Sequence, residues 1–483
     1  MCRYGILMKA VEFINVTFSY EGSGAAVLDT ASFCAEYNQL TVLAGFSGAG
    51  KSTVLSLIAG IIPNEVSGNM CGEILIAGEN VRGKQLRGLC RKVGIVLQNA
   101  ELQIIHPYVE DEIAFGCENC NFSPALIEEC VLYSCSTMKL NPAWETGTLS
   151  GGQKQRLITA AVLAMKQKII VLDEPLANLD RDGTLLLMTE LRKLAECGYA
   201  VLIVEHRLDM VLPFVDTVWD IRSGKLSRVE NKMKYLKSHA GCIADTCVQK
   251  TTDDVLFSLE HVGLTAAKRQ ILKDITFSIR KGERVLLLGE NGCGKTTLLR
   301  LLARLSMPTK GKIIQYLDTS FGQNRKGSRR WFSEVGVVYQ NPANQLFMPT
   351  VMQEIAYGAE SEQYAREIMH LFRVEHLAER HPQSLSEGQK RRVTIASVAA
   401  SNPRVFLLDE PTVGQDYSGL QEMISILNRL HEENGNTMIT VTHDLRCAEA
   451  VCDHAVYINN GFVAEEGGKE LVRRYFTKDD IRH

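Results

Sequence analysis

The sequence predicts an α/β fold written twice along one chain. Three observations predict it. The same ordered landmarks recur in both halves, which marks an internal repeat. Apolar β-branched runs alternate with helix-period segments, the pattern of parallel strands joined by crossover helices. The chain has 483 residues and is 45% hydrophobic, enough for two domains that each bury a core.

In the first half, an apolar strand Leu40 to Leu43 leads into a glycine loop, Gly45 to Ser52. Gln98, the run Leu149 to Arg156, the strand Ile169 to Leu172 with Asp173 and Glu174, and His206 follow. The second half repeats the order with Arg284 to Leu288, Gly289 to Thr296, Gln340, Leu385 to Arg392, Val405 to Leu408 with Asp409 and Glu410, and His443. A more antiparallel β subdomain is expected before each glycine loop. Between the halves, Glu230 to Asp254 loses apolar periodicity and is rich in Lys, Ser, Thr and Asp. The expected domains are therefore residues 9–229 and 255–483, with 230–254 as connector.

Composition narrows the function classes. A formal net charge of −3 gives no basic face for phosphate-rich nucleic acid. Lys166 and Lys168 break the richest apolar run, Ala160 to Leu172, so no stretch reaches the length of a membrane span. Met1 to Val11 lacks the order of a secretory signal, and the cytoplasm is the expected compartment. Reduced thiols are expected of the 14 scattered cysteines. Cys117, Cys120, Cys130 and Cys135 lack the paired spacing of a metal site and read as small hydrophobes or exposed thiols.

Both glycine loops satisfy G-x-x-x-x-G-K-[ST]: Gly45, Gly48 to Ser52 with Ser47 inside the first, and Gly289, Asn291, Gly292, Gly294, Lys295 and Thr296 in the second. Glycine allows the tight turns that aim backbone N–H groups at phosphate oxygens, and the following helix presents its positive end. Lys51 and Lys295 reach the β- and γ-phosphates. Ser52 and Thr296 offer hydroxyls to Mg²⁺, which prefers oxygen ligands. Asp173 and Asp409, at strand ends, suit the same ion. Glu174 and Glu410 are candidate general bases for the attacking water.

With these residues in place, Leu149-Ser150-Gly151-Gly152-Gln153 matches the signature of the ABC ATPase family, and Leu385-Ser386-Glu387-Gly388-Gln389 is a variant of it. The chain resembles that family over nearly its whole length. The resemblance implies two P-loop NTPase domains in tandem, each with a RecA-like parallel-sheet core, a β subdomain and a helical signature subdomain. It implies ATP and Mg²⁺ as cofactors. It further implies that the halves close head to tail, so that Lys51 faces Ser386 and Lys295 faces Ser150.

By the same resemblance, Gln98 and Gln340 sense the γ-phosphate and join the Mg²⁺ shell. His206 and His443 are switch histidines, and Asp180 and Asp416 lie at the seam. Thr53 and Thr297 complete the phosphate loops, and Ser150, Gly151, Gly152 and Gln153 with Ser386, Gly388 and Gln389 contact nucleotide from the signature side. Tyr20 resembles the aromatic that stacks on adenine. Its counterpart is Ala266, so weaker adenine binding is expected at the Lys295 site. Glu387 places a negative charge near the γ-phosphate or points away. Two hydrolysing sites are expected.

Gln98-Asn99-Ala100-Glu101-Leu102-Gln103 and Gln340-Asn341-Pro342-Ala343-Asn344-Gln345 resemble a stretch of the ATPases of energy-coupling factor importers, as do Val109 to Gly116, Val351 to Gly358 and Val204 to Asp209. That similarity implies a bacterial protein at the cytoplasmic face of the cell membrane. It implies as partners a transmembrane T-type scaffold and a small subunit that captures a vitamin or transition metal. Glu110, Asp111, Glu112 and Glu354 are the candidates for meeting the scaffold's basic coupling helices. A sugar-type importer ATPase and a soluble ABC protein acting on ribosomes are the alternatives.

Overall fold

The computed structural model describes residues 8–22, 25–46, 48–176, 179, 181–239, 251–266, 269–317 and 329–477. Ser47 and Asp180, both expected nucleotide-site residues, lie outside the described residues. The chain divides into two units, Met1–Gly241 and Cys242–His483.

In the first unit, Lys9–Tyr20 lies between Leu28–Glu36 and Gly68–Ile76 in an antiparallel sheet, with Glu79–Asn80 at one edge. Its inward residues are Val11 and Phe13, then Val16 and Phe18. The two-residue period slips once, where the register shifts between Phe13 and Val16 and Asn15 takes a φ of 49°. A bulge at a residue that tolerates the left-handed region keeps both apolar pairs on the core face.

The second sheet of this unit runs in the order Lys225–Arg228, Thr217–Arg222, Gln39–Gly45, Ala200–Val204, Ile169–Asp173, Val93–Val96. All neighbours are parallel except the antiparallel edge strand Lys225–Arg228. Ala200–Val204 and Ile169–Asp173 are buried throughout, as strands covered on both faces should be. The carboxyl ends of four strands thus bring Gly45, Asp173, Val204 and Val96 to one edge, where open α/β sheets bind ligands.

The second unit repeats this with one nine-stranded sheet. Its parallel core is His454–Asn459, Arg284–Leu288, Thr437–Val441, Val405–Asp409 and Val335–Val338. Its antiparallel part joins that core through a single pair, Asp274 with Phe462. In the first unit the equivalent region is tied by the Asp29 N–H donating to the Gly224 carbonyl at 2.9 Å. One backbone bridge therefore separates two sheets from one.

The helix Lys232–His239 lies inside the stretch expected to be a connector. Tyr235 is buried in the first unit's core, and its hydroxyl donates to Asp220 Oδ1 at 2.8 Å. Residues 240–250 of that stretch lie outside the described residues. Cys117, Cys130 and Cys135 are buried in the same core, and burial pushes the Cys117 thiol up to about 12 and that of Cys135 to about 11. Cys120 is half-buried.

Candidate functional site

The first glycine loop leaves strand Gln39–Gly45 and enters helix Lys51–Ala59. Gly45 has a φ of 147°, and a Cβ there would stand 2.6 Å from the Ile221 carbonyl. Gly50 caps the helix at φ 102°, where a Cβ would meet Val27 at 2.9 Å. Conformation and space both require glycine. Lys51 is buried, and its Nζ donates to the carbonyls of Gly45 at 3.0 Å and Phe46 at 2.8 Å. The ammonium is thereby held inside the loop. Tyr20 shares a 2.9 Å hydrogen bond between its hydroxyl and Thr53 Oγ1, so the aromatic is fixed to the helix that follows the loop.

Asp173 ends its strand with Oδ1 buried and without a hydrogen-bond partner. Burial, helped by Glu174, raises its pKa to about 6, against the pull of the Ser52 hydrogen bond and Lys51. Glu174 follows at φ 46°, a sparsely populated conformation of the kind that collects at functional sites. Its Oε2 accepts from Gln98 Nε2 at 2.8 Å, and its Oε1 is 3.1 Å from His206 Nε2. Burial alone would raise this carboxyl, but His206, Lys51 and Gln98 together hold it below the usual range. Three expected residues from three strand ends are thus joined in one hydrogen-bonded group.

The second unit builds the same frame with different contacts. Lys295 Nζ donates to Gly289 at 2.6 Å and Glu290 at 2.9 Å, and Thr296 Oγ1 donates to Asp409 Oδ2 at 2.8 Å. Gly292 and Gly294 take φ values of 82° and 107°, and Thr297 is half-buried on the helix Lys295–Leu302. Glu410 repeats the left-handed conformation at φ 54°. Its Oε2 accepts from the His443 backbone N–H at 3.2 Å, while its Oε1 is buried without a hydrogen-bond partner. His443 Nε2 makes its hydrogen bond to Asn291 Oδ1 at 3.0 Å and stands 3.5 Å from Glu410 Oε1, against 3.1 Å for His206 and Glu174. Among the described residues no hydrogen bond joins Gln340 to Glu410. Burial and the neighbouring Asp409 raise Glu410 to about 8, against the pull of Lys295 and Arg391.

Both signatures open helices through the same device. The hydroxyl of Ser150 accepts from the Gln153 N–H, and the Gln153 side chain accepts from the Ser150 N–H at 2.8 Å; Ser386 and Gln389 do the same. This capping box leaves the first-turn N–H groups of Gly151 and Gly152, and of Glu387 and Gly388, at the positive helix end. Glu387 pairs with Lys390 at 3.0 Å. Asp416 caps the helix Tyr417–Asn434 by accepting from Gly419 N–H at 2.7 Å.

Two buried neighbours, Glu205 and Arg391, were given no role by the sequence. Glu205 is buried beside Glu174, and burial raises it to about 7. Arg391 is buried behind Glu410. Gln103 and Gln345, which end the stretches beginning at Gln98 and Gln340, close those turns: each accepts from a backbone N–H six residues back, Leu97 at 2.7 Å and Tyr339 at 2.8 Å. The spacing of two glutamines in each half was the available signal.

Two of the expected scaffold-facing acids are corrected by their surroundings. Glu112 Oε2 accepts from the N–H groups of Ile105 and His106 at 2.8 and 2.7 Å, and Glu354 Oε2 from Phe347 and Met348 at 2.9 and 2.8 Å. Both carboxylates are buried, because they satisfy loop amides that precede their own helices. Glu110 and Asp111 are exposed.

The sequence matches the ABC transporter family over residues 28–177 and 272–413, one match on each of the loop-and-carboxylate arrangements above. The chain belongs to that family. Relatives include the "Putative ABC transporter ATP-binding protein" of Methanosarcina mazei, 30% identical over 95% of this chain and 88% of that protein. The "Putative HMP/thiamine import ATP-binding protein YkoD" of Bacillus subtilis is 31% identical over 94% and 90%. Among solved structures, archaeal ribosome recycling factor aABCE1 in complex with the stalk protein aP1 aligns at a TM-score of 0.66. It is 22% identical, over 96% of this chain and 92% of its own, a likeness of fold. ABC ATPases hydrolyse ATP with Mg²⁺, and this chain is an ABC ATPase. No helix among the described residues is long and apolar enough to cross a membrane.

Proposed function

We propose that this ABC ATPase energises an importer of the energy-coupling factor type, for a vitamin or a transition metal, from the cytoplasmic face of a bacterial membrane. Its partners are a transmembrane T-type scaffold and a small substrate-capturing subunit. The observation that carries this reading is an apolar cleft of about 630 Å³ in the first unit, lined by Ile95, Ile105, Phe115, Ala161 and Met165 beside the Gln98 segment. Leu102 and Ile105 stand 81% and 69% exposed near it, on a loop that Glu112 pins. The second unit exposes Phe347 and Tyr357 at 70% and 74%, next to the loop pinned by Glu354. Large apolar side chains held out on rigid loops are the signature of a binding surface. Glu110 and Asp111 supply acidic groups on the helix Val109–Asn119 for basic residues of the scaffold. The import function named for the Bacillus subtilis relative supports the same reading.

The residues suit magnesium nucleotide. Asp173 with Ser52, and Asp409 with Thr296, would hold the ion, whose positive charge offsets the charge of the phosphates; the unpartnered Oδ1 of Asp173 is a vacant oxygen donor for such a shell. Lys51 and Lys295 exchange loop carbonyls for phosphate oxygens. Glu174 and Glu410 orient the attacking water and take its proton, with His206 and Gln98 fixing the first carboxylate. Ser150 and Ser386, with the N–H groups behind them, serve the γ-phosphate from the signature side, and Asp180 and Asp416 belong to the same assembly. Domains 9–229 and 255–483 are the units of this mechanism.

The test is co-purification from membranes followed by transport. The account expects recovery of a scaffold and small membrane subunits, and loss of both association and uptake in Leu102→Glu with Ile105→Glu. Recovery with ribosomes, or wild-type uptake in that variant, contradicts it.

A further inference from the structure

We propose that Arg391 is a positioning residue that locks the helix opened by Ser386 to the segment carrying Gln340, through a buried contact that the first half replaces with a surface one. Arg391 lies on the helix Glu387–Ala400 and is 2% exposed. Its guanidinium donates to the carbonyls of Tyr339, at 2.7 Å, and of Gln340. Asp409 and Glu410 act on it electrostatically from the strand end behind. A guanidinium fork buried on two carbonyls resists both bending and solvent screening. The turn it grips is itself closed, since Gln345 accepts from Tyr339 N–H and donates to the Val337 carbonyl at 2.7 Å. On the other side of the same helix, the Gln415 side chain donates to the Gly388 carbonyl at 2.7 Å, and Arg392 pairs with Glu422 at 2.6 Å. The signature, the Gln340 turn and the segment before Asp416 are therefore one mechanical body.

The first half differs at this position. Counting from the signature serine, Gln155 stands where Arg391 stands. Gln155 is equally buried, and its Nε2 has no hydrogen-bond partner. Among the described residues the charged link from that helix toward the Gln98 segment is instead the ion pair of Lys154 with Glu101, whose side chains are 17% and 61% exposed. Exposed pairs are screened by salt and contribute little. The second half thus transmits displacement of its signature helix to Gln340 directly, whereas the first half transmits it loosely and in a salt-dependent way.

This inference rests on reading Gln340 as responsive to the γ-phosphate, and the experiment separates the two. Full-length Arg391→Gln, which installs the first-half residue, and Arg391→Lys, which keeps charge without the fork, are compared with wild type. The readouts are amide exchange of residues 339–346 without nucleotide, ATP affinity, and turnover in a Glu174→Gln background. The expected result for Arg391→Gln is exchange about tenfold faster in that segment, with no change at 97–104. ATP affinity stays within about twofold and turnover falls about tenfold, as displacement of a positioned group allows. Arg391→Lys falls between and keeps the melting temperature, which guards against misfolding of the neutral variant. Faster exchange with unchanged turnover keeps the lock and removes the role of Gln340. Unchanged exchange, or affinity falling in step with turnover, overturns the proposal.

Discussion

The two nucleotide sites use the same residue types at the same strand ends, yet they hold their glutamates in opposite ways. Glu174 is clasped by Gln98 and His206 and sits below the usual carboxylate range. Glu410 receives one backbone N–H, has the His443 ring 3.5 Å from its other oxygen, beyond a good hydrogen bond, and is raised to about 8. The cause lies in what surrounds the motif. His443 is drawn to Asn291 of its own glycine loop, and Arg391 contacts the backbone of Gln340 while leaving the side chain off the glutamate. A motif fixes which groups meet; the neighbours fix their charge state.

The largest effect expected from this comparison is the loss of each base. Glu174→Gln and Glu410→Gln should each lower hydrolysis at their own site by roughly 10²–10⁴-fold, the range for a positioned general base. The double variant should retain ATP without turnover. Single-turnover assays with trapped nucleotide measure this, and one variant with full activity would show that only one half hydrolyses. A smaller effect separates the sites by base recognition. Tyr20 is tied to Thr53, whereas Ala266, aligned by ladder register with Phe18 to Leu28 matching Leu264 to Leu272, offers no ring. Tyr20→Ala should weaken ATP binding at the Lys51 site by about 1 kcal/mol, about fivefold. Titration of Lys51→Ala and Lys295→Ala chains gives the comparison, and tighter binding at the Lys295 site would reverse it.

Much of this was legible in the residues. The strand ends fell where apolar runs met Asp-Glu pairs, and the signature runs fell at the starts of helices. The charges of the sites were not legible, because burial and non-local partners set them. Glu112 and Glu354 look like ordinary acids at a helix start, a pattern the helix dipole favours on the surface. They turn inward since the preceding loops leave two amides each that need an acceptor. Lys232–His239 has a polar composition that reads as linker, and two adjacent residues, Tyr235 and Leu236, dock it on the core. Arg391 differs from Gln155 by one residue in a run of basic and amide side chains; nothing local says that it points inward.

The most direct test of the central claim is the pH–rate profile of each half alone, in Glu410→Gln and Glu174→Gln chains. The base must be deprotonated to act. A carboxyl raised to about 8 therefore loses activity as pH falls through 8, while one held below the usual range stays deprotonated across that interval. The account predicts that turnover of Glu174→Gln rises about tenfold between pH 7 and 9, and that Glu410→Gln stays level across the same interval. Superimposable profiles, or a rise confined to Glu410→Gln, would contradict it.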